Sequence, residues 1–307
     1  MPNAFLSNSC PEGAGMVTKR GLTQAVTTTH QPYAVLSLES SDNECVCDKF
    51  DLVMWTKNSA KFLPLVLKRI EQVVPERVIG KKIIVDDHST DNTVEVAEKL
   101  GWIVHLNAGS GLFDAVDTAL SYVSTKFFIS FEHDVILARD WWVKISKYIE
   151  DNTVAIAQGV RVYTHPVLRK LCEFMAEQKD YGVATAFSID NNIYRTEVIK
   201  KFKIQICCNE KNAAIFLKNN GFKWVCDVNV VSEHIRPSLL HFILHEYKMY
   251  TLYLSASQKR KLLSKMFRLF ITSPFRALHV SLKKKCPQIF VVYPLDRFMI
   301  LMACIRS

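Results

Sequence analysis

From Phe50 onward, short uncharged runs alternate with stretches whose apolar residues recur every three to four positions, and polar clusters sit directly behind the runs. That alternation predicts an α/β fold in which crossover helices join the strands of a mostly parallel open sheet. Phe50 to Trp55 is the first strand. Phe62, Leu63, Val66, Leu67 and Ile70 form one helical stripe within Lys61 to Val73, and Lys82 to Val85 is the second strand. A helix over Asn92 to Leu100 follows, capped by Ser89, Thr90 or Asp91 and ended by Gly101. Trp102 to Leu106 reads as the third strand, Leu112 to Val123 as another amphipathic helix, and Phe127 to Phe131 as a fourth strand. The strand ends fall at Thr56, Asp86, Asn107 and Glu132. Open sheets bind ligands just beyond such carboxyl ends, so a site is expected where these four loops converge.

The flanks differ in character. Residues 1–48 carry Pro2, Pro11, Pro32, a threonine run and no continuous apolar stretch, which predicts a flexible tail without a secretory signal. Residues 49–236 form the expected α/β domain, and 237–307 a basic, amphipathic helical segment. Nine cysteines, an odd number scattered over a long chain, fit a reducing, cytoplasmic compartment better than a disulfide framework. Cys45 and Cys47 make one close pair and Cys207 and Cys208 another, but they lack partners at zinc-finger spacing. Ile289 to Ile305 comes nearest to a membrane span, and Pro294, Asp296 and Arg297 interrupt it.

Two acidic constellations carry candidate chemistry. Asp86 and Asp87 end a buried strand and precede His88-Ser89-Thr90-Asp91. Asp91 suits a helix cap, whereas Asp86 and Asp87 can accept hydrogen bonds from base amines or imides and ribose hydroxyls, which makes a nucleotide pocket plausible. Glu132-His133-Asp134 ends the fourth strand. Hard cations such as Mg2+ and Mn2+ prefer carboxylate oxygens and complete their shell with phosphate, so Glu132 and Asp134 suit a metal-diphosphate site.

Thr56-Lys57-Asn58-Ser59, the Asp86 to Asp91 loop and the Glu132-His133-Asp134 variant of the Asp-any-Asp motif, in this order at successive strand ends, resemble family 2 glycosyltransferases of the GT-A fold. The resemblance runs from Phe50 to His234. It implies transfer of a sugar, with inversion, from a nucleotide-diphosphate sugar to an acceptor hydroxyl or lipid phosphate, assisted by Mn2+ or Mg2+. Thr56, Asn58, Asp86, Asp87, Asn107, Gly109, Glu132 and Arg195 would then bind the nucleotide sugar. Asp134, with Glu132 directly or through water, and His234 would hold the metal. Asp190 to Arg195 is similar to the family segment preceding the acceptor-side helix. Asn209-Glu210 ahead of Gly221 is similar to its acidic pair, which makes Glu210 the general base. Asn209 replaces the first acid of that pair, and Ala108 stands in the Asn107-Ala108-Gly109 turn where a basic residue is frequent, leaving Lys57 or Arg195 to meet the phosphate. Sugar-discriminating residues are expected in a variable loop over Thr164 to Thr185. These departures motivate an alternative, a catalytically silent GT-A-like module that binds a membrane or a complex.

The formal net charge of +9 first suggests a nucleic-acid or membrane partner. Lys259 to Lys285 contains nine basic residues and no acidic one, so the rest of the chain has 30 of each sign. Within that stretch the cations interleave with Leu262, Leu263, Met266, Phe267, Leu269, Phe270 and Ile271. This suits an anionic bilayer and a lipid-linked or glycan acceptor at the cytoplasmic membrane face rather than nucleic acid, for which no reading motif is present. The competing reading is a packed helix with a solvated basic face.

Overall fold

A computed structural model describes residues 16–17, 48–177, 188–189, 191–202, 210–253 and 256–306. The first half alternates as its hydrophobic pattern requires: β1 (Met16–Val17), β2 (Phe50–Thr56), α1 (Leu63–Val73), β3 (Ile79–Asp86), α2 (Thr93–Lys99), β4 (Ile103–Leu106), α3 (Gly111–Tyr122) and β5 (Phe127–Glu132). The second half continues with β6 (Val135–Ile136), α4 (Trp141–Ile145), β7 (Val154–Tyr163), α5 (Pro166–Glu177), β8 (Asn192–Arg195), α6 (Thr196–Phe202), α7 (Glu210–Asn219) and β9 (Lys223–His234). Three helices close the chain: α8 (Leu239–Tyr253), α9 (Ala256–Lys283) and α10 (Ile289–Ile305).

The strands form one sheet in the order β1-β9-β7-β8-β5-β2-β3-β4, with β6 paired to β9. Neighbours β2, β3, β4 and β5 run parallel, as do β7 with β9, but β8 is antiparallel to both β5 and β7. The sheet is therefore mixed. Period-two alternation along β2 sorts its residues into two cores. Leu52 and Met54 join Leu63, Leu67, Ile70 and Trp141 beneath α1, α2 and α4. Val53 and Trp55 join Val116, Ala119, Val198 and Leu217 beneath α3, α6 and α7.

Two expectations need correction. The stretch expected as a tail contributes β1, which pairs parallel with β9 at Cys226 and Asp227, while residues 1–15 and 18–47 lie outside the described residues. The variable loop expected over Thr164 to Thr185 contains α5, because Val167, Leu168, Leu171, Phe174 and Met175 recur at helical spacing and are buried; residues 178–187 lie outside the described residues. The carboxyl-terminal helices are packed onto the domain: Ala277, Val280, Ile289, Val292 and Tyr293 share a core with α5 and with Phe242 of α8.

Candidate functional site

Strand β2 continues to β3 and β4 on one side, and the chain then returns to place β5 on the other. The crevice beyond β2 and β5 is thus the point at which the strand order reverses, where open sheets bind ligands. The parallel register aligns Thr56 with Asp86 and Trp55 with Glu132, so the expected loops do converge.

Two buried carboxylates tie these loops together. Asp86 accepts from the Thr56 hydroxyl at 3.0 Å, the Ser89 amide at 2.7 Å and the Ser89 hydroxyl at 2.6 Å. Asp87 accepts from Lys57 Nζ, Asn107 Nδ2 and the Gly111 amide, each at 2.8 Å. Burial would push the Asp87 carboxyl up, but Lys57, the Gly111 amide and Asn107 bring it below its ordinary value. Asn58, at a positive φ of 49°, fastens the loops from the other side by accepting from the Thr90 amide at 2.8 Å. Gly109 lies where a Cβ would collide with the Asp114 carboxylate. These residues form a pre-set wall, in which Oδ1 of each carboxylate already accepts two bonds and Oδ2, with one, can accept another.

The acidic cluster stands opposite. Glu132 ends β5, Asp134 follows it, and β6 pairs with the end of β9 so that Val135 faces His234. Glu132, Asp134 and His234 each offer a ligand atom, all within 4.8 Å of one another. Among the described residues no hydrogen bond engages the Glu132 carboxylate, and it is only half-buried. Asp134 Oδ2 lies 3.2 Å from His234 Nε2 and accepts a short bond from Arg236 Nη1. Burial would raise the Asp134 carboxyl, yet His234 and Arg236 hold it well below the carboxylate range. Burial pushes the His234 imidazole down to about 4 against the pull of Asp134, so at neutral pH it is neutral and carries a lone pair. Its Nδ1 is buried with no hydrogen-bond partner among the described residues. Two carboxylates and a neutral imidazole fit a divalent cation, and the imidazole favours Mn2+ over Mg2+.

Arg195 requires a correction. It pairs with Phe127 at the start of β5, at the opposite edge of the sheet from the site. Its guanidinium is buried, donates to the carbonyls of Val154, Ile149 and Asp151, and lies over the Phe127 ring. It cannot meet a phosphate at the strand ends. Lys57 is at the correct edge but is paired with Asp87. The basic residue that sequence reasoning missed is Arg236, two positions beyond His234. Its closeness to Asp134 comes from the β6–β9 pairing, a contact of 102 residues' separation that leaves no local pattern. Glu210 opens α7 on the side of the sheet that carries α3 and α6. Its side chain, together with Asp190 and Asn209, lies outside the described residues.

A family model described as "Glycosyl transferase family 2" matches residues 51–208. No curated protein sequence matches the chain. Among solved structures, the mannosyltransferase PcManGT from Pyrobaculum calidifontis, in complex with GDP-Man and Mn2+, aligns with a TM-score of 0.52 at 15% identity, covering 84% of this chain and 74% of that one. Glucosyl-3-phosphoglycerate synthase from Mycobacterium tuberculosis, with Mg2+ and UDP, aligns at 0.48 and 15% identity over 64% of this chain and 74% of that one. The first of these is a likeness of fold.

Proposed function

Because the chain belongs to glycosyl transferase family 2, we propose that it moves a sugar, with inversion, from a nucleotide-diphosphate sugar to an acceptor hydroxyl or lipid phosphate. The observation that carries this reading is the Glu132, Asp134 and His234 cluster, gathered at the strand-order reversal opposite the wall of Asp86 and Asp87. Thr56, Asn58, Asp86, Asp87, Asn107 and Gly109 line the side assigned to the nucleotide. Asp134 and His234, with Glu132 directly or through water, would hold Mn2+ or Mg2+. Such a cation supplies neutralisation of the charge that develops on the departing nucleoside diphosphate.

Arg236 takes the role first given to Lys57 or Arg195. Its guanidinium already neutralises Asp134, and when a cation takes over that carboxylate the same fork is free to meet a phosphate oxygen. Glu210 is assigned as the base that removes the proton from the attacking hydroxyl, since it stands ahead of Gly221 in the family's order. Asp134→Asn and Glu210→Gln are each expected to lower turnover by roughly a hundredfold or more, measured by transfer from radiolabelled nucleotide sugars below each variant's melting temperature, which Asp134→Asn lowers because Arg236 loses its buried partner. Near-normal rates in either purified variant would overturn that residue's role.

A silent binding module is the competing reading, favoured by the Arg236–Asp134 ion pair, which satisfies the acid without a metal. Thermal unfolding across nucleotide sugars, with and without Mn2+, separates the two. Stabilisation by a nucleotide only when Mn2+ is present supports the transferase, and its absence for every nucleotide supports the module.

A further inference from the structure

The closing helices present an apolar face that the described residues leave exposed. Helix α9 packs inward through Met266, Leu269, Ser273, Ala277 and Val280. Its opposite side carries Phe267, Ile271, Phe275, Leu278 and Leu282, spaced by four, four, three and four positions and therefore aligned on one stripe at about 3.6 residues per turn. Phe275 is 79% exposed and Leu282 71%. The outward side of this helix is thus apolar along one stripe, with exposed cations on the rest of it. Cations border one side of the stripe: the helical repeat sets Lys261 and Arg268 just beyond its edge, and both are exposed.

Helix α10 repeats the device. Its charged residues Asp296 and Arg297 turn inward, where they pair at 2.7 Å and are almost fully buried, Arg297 stacking on Tyr293. Val291, Leu295, Phe298 and Ile305 are left on the outside, all at least 39% exposed. Phe298 meets Phe270 of α9 with ring centroids 5.5 Å apart, which joins the two helices along one edge. No helix among the described residues is long and apolar enough to cross a membrane.

We infer that the α9–α10 hairpin is a docking face that lies in the plane of an anionic lipid bilayer, its stripe entering the acyl boundary and its cations meeting the headgroups. Charge complementarity selects this occupant. Residues 259–285 hold nine basic residues and no acidic one, so a second copy would bring like charges together. An anionic polymer would match the charge but leave the phenylalanines and leucines in water. The inference goes beyond the transferase reading and does not depend on it.

Co-sedimentation of the full chain with phosphatidylcholine vesicles, with and without phosphatidylglycerol, tests it without any sugar donor. The chain is expected to pellet with the anionic vesicles. Phe275→Ser combined with Leu282→Ser should weaken that binding about tenfold or more, since two large apolar side chains are lost from the interface. Lys261→Gln combined with Arg268→Gln should weaken it to a similar degree, at about fivefold per cation, and only on anionic vesicles. The serine sites are exposed, so the melting temperature should not change; if that variant unfolds, the glutamine variant decides. Wild-type protein that stays in the supernatant, or folded variants of both kinds that pellet as wild type does, would overturn the inference. So would a solution dimer that the serine substitutions split while vesicle binding is absent.

Discussion

Arg236 holds the carboxylate that a cation at this site would take. With its guanidinium against Asp134, both side chains being about nine-tenths buried, the acid has a counter-ion without a metal. Removing one partner of a buried pair leaves the other charge uncompensated and costs about 3–5 kcal/mol. Arg236→Gln should therefore melt at a lower temperature than the wild type, and added Mn2+ should restore more stability to the variant than it gives the wild type, because the cation no longer displaces a guanidinium. Equal Mn2+-induced shifts in melting temperature would show that the arginine and the cation do not compete. At the other end of β2, Asp51 has no catalytic part. Its carboxylate accepts from the amides of Lys81 at 2.9 Å, Ser124 at 2.7 Å and Thr125 at 3.2 Å, fastening the amino-terminal edge of the sheet. Burial would raise its carboxyl, but the Ser124, Lys81 and Thr125 amides lower it below its ordinary value. A group depressed in the folded state contributes stability above its unfolded value, near 3.9, and loses it as pH falls through the lower folded value. Asp51→Asn should thus cost about 2 kcal/mol at pH 7 in urea unfolding, with the difference from wild type shrinking below about pH 4. A pH-independent difference would refute the assignment.

Elements were legible where their signal is local. Strands β2, β3, β4 and β5 and helices α1 to α3 follow from hydrophobic period alone, and the acids at their ends inherit correct positions from the parallel direction of those strands. Arg195 was misplaced for the converse reason. Strand β8 runs antiparallel to β5, so its last residue stands at the edge opposite the site, and direction within a sheet is a tertiary property that a four-residue run does not encode. Strand β9 shows a second case. Its pairing with β7 shifts register between Gly159 and Val160, from Gly159 opposite Asp227 to Val160 opposite Val231. The extra residues bulge toward β7, and a Cβ at position 159 would sit 2.5 Å from the Val230 carbonyl oxygen. Backbone cannot yield as a flexible side chain can. Gly159→Ala is expected to destabilise the fold by about 1–3 kcal/mol in urea unfolding, and because the bulge lies on the strand that delivers His234, Mn2+ binding should weaken as well. An alanine variant as stable as wild type would mean that the bulge is not tightly held.

At the scale of the molecule, the charge excess and the apolar excess coincide in the closing helices, while the sheet that carries the site is acidic at its carboxyl edge. Sequence pattern located the basic segment but presented it as an appendage beginning near residue 237, because amphipathic spacing cannot say which of two apolar faces is covered. Here both faces of α9 are apolar in part. The inner one, with α10, completes a core that includes Val167, Leu168, Leu171 and Phe174 of α5 and Phe242 of α8. Tyr163, which packs against that core and meets Phe242 of α8 edge-on at 5.6 Å, stacks on His234 with centroids 5.0 Å apart, so the core that the hairpin completes adjoins the candidate ligand His234. A chain ending at Ser257 should consequently be more than a protein lacking a membrane face. It would expose several side chains each stabilised by about 1.5–3 kcal/mol through burial, and its melting temperature should fall by at least about 5 °C, with apolar-dye binding appearing before unfolding. Mn2+ affinity should fall with it, through the loosened Tyr163–His234 contact. If the shortened chain instead melts with the wild type and binds Mn2+ equally, the helices are a separable appendage and the coupling from hairpin to site does not exist.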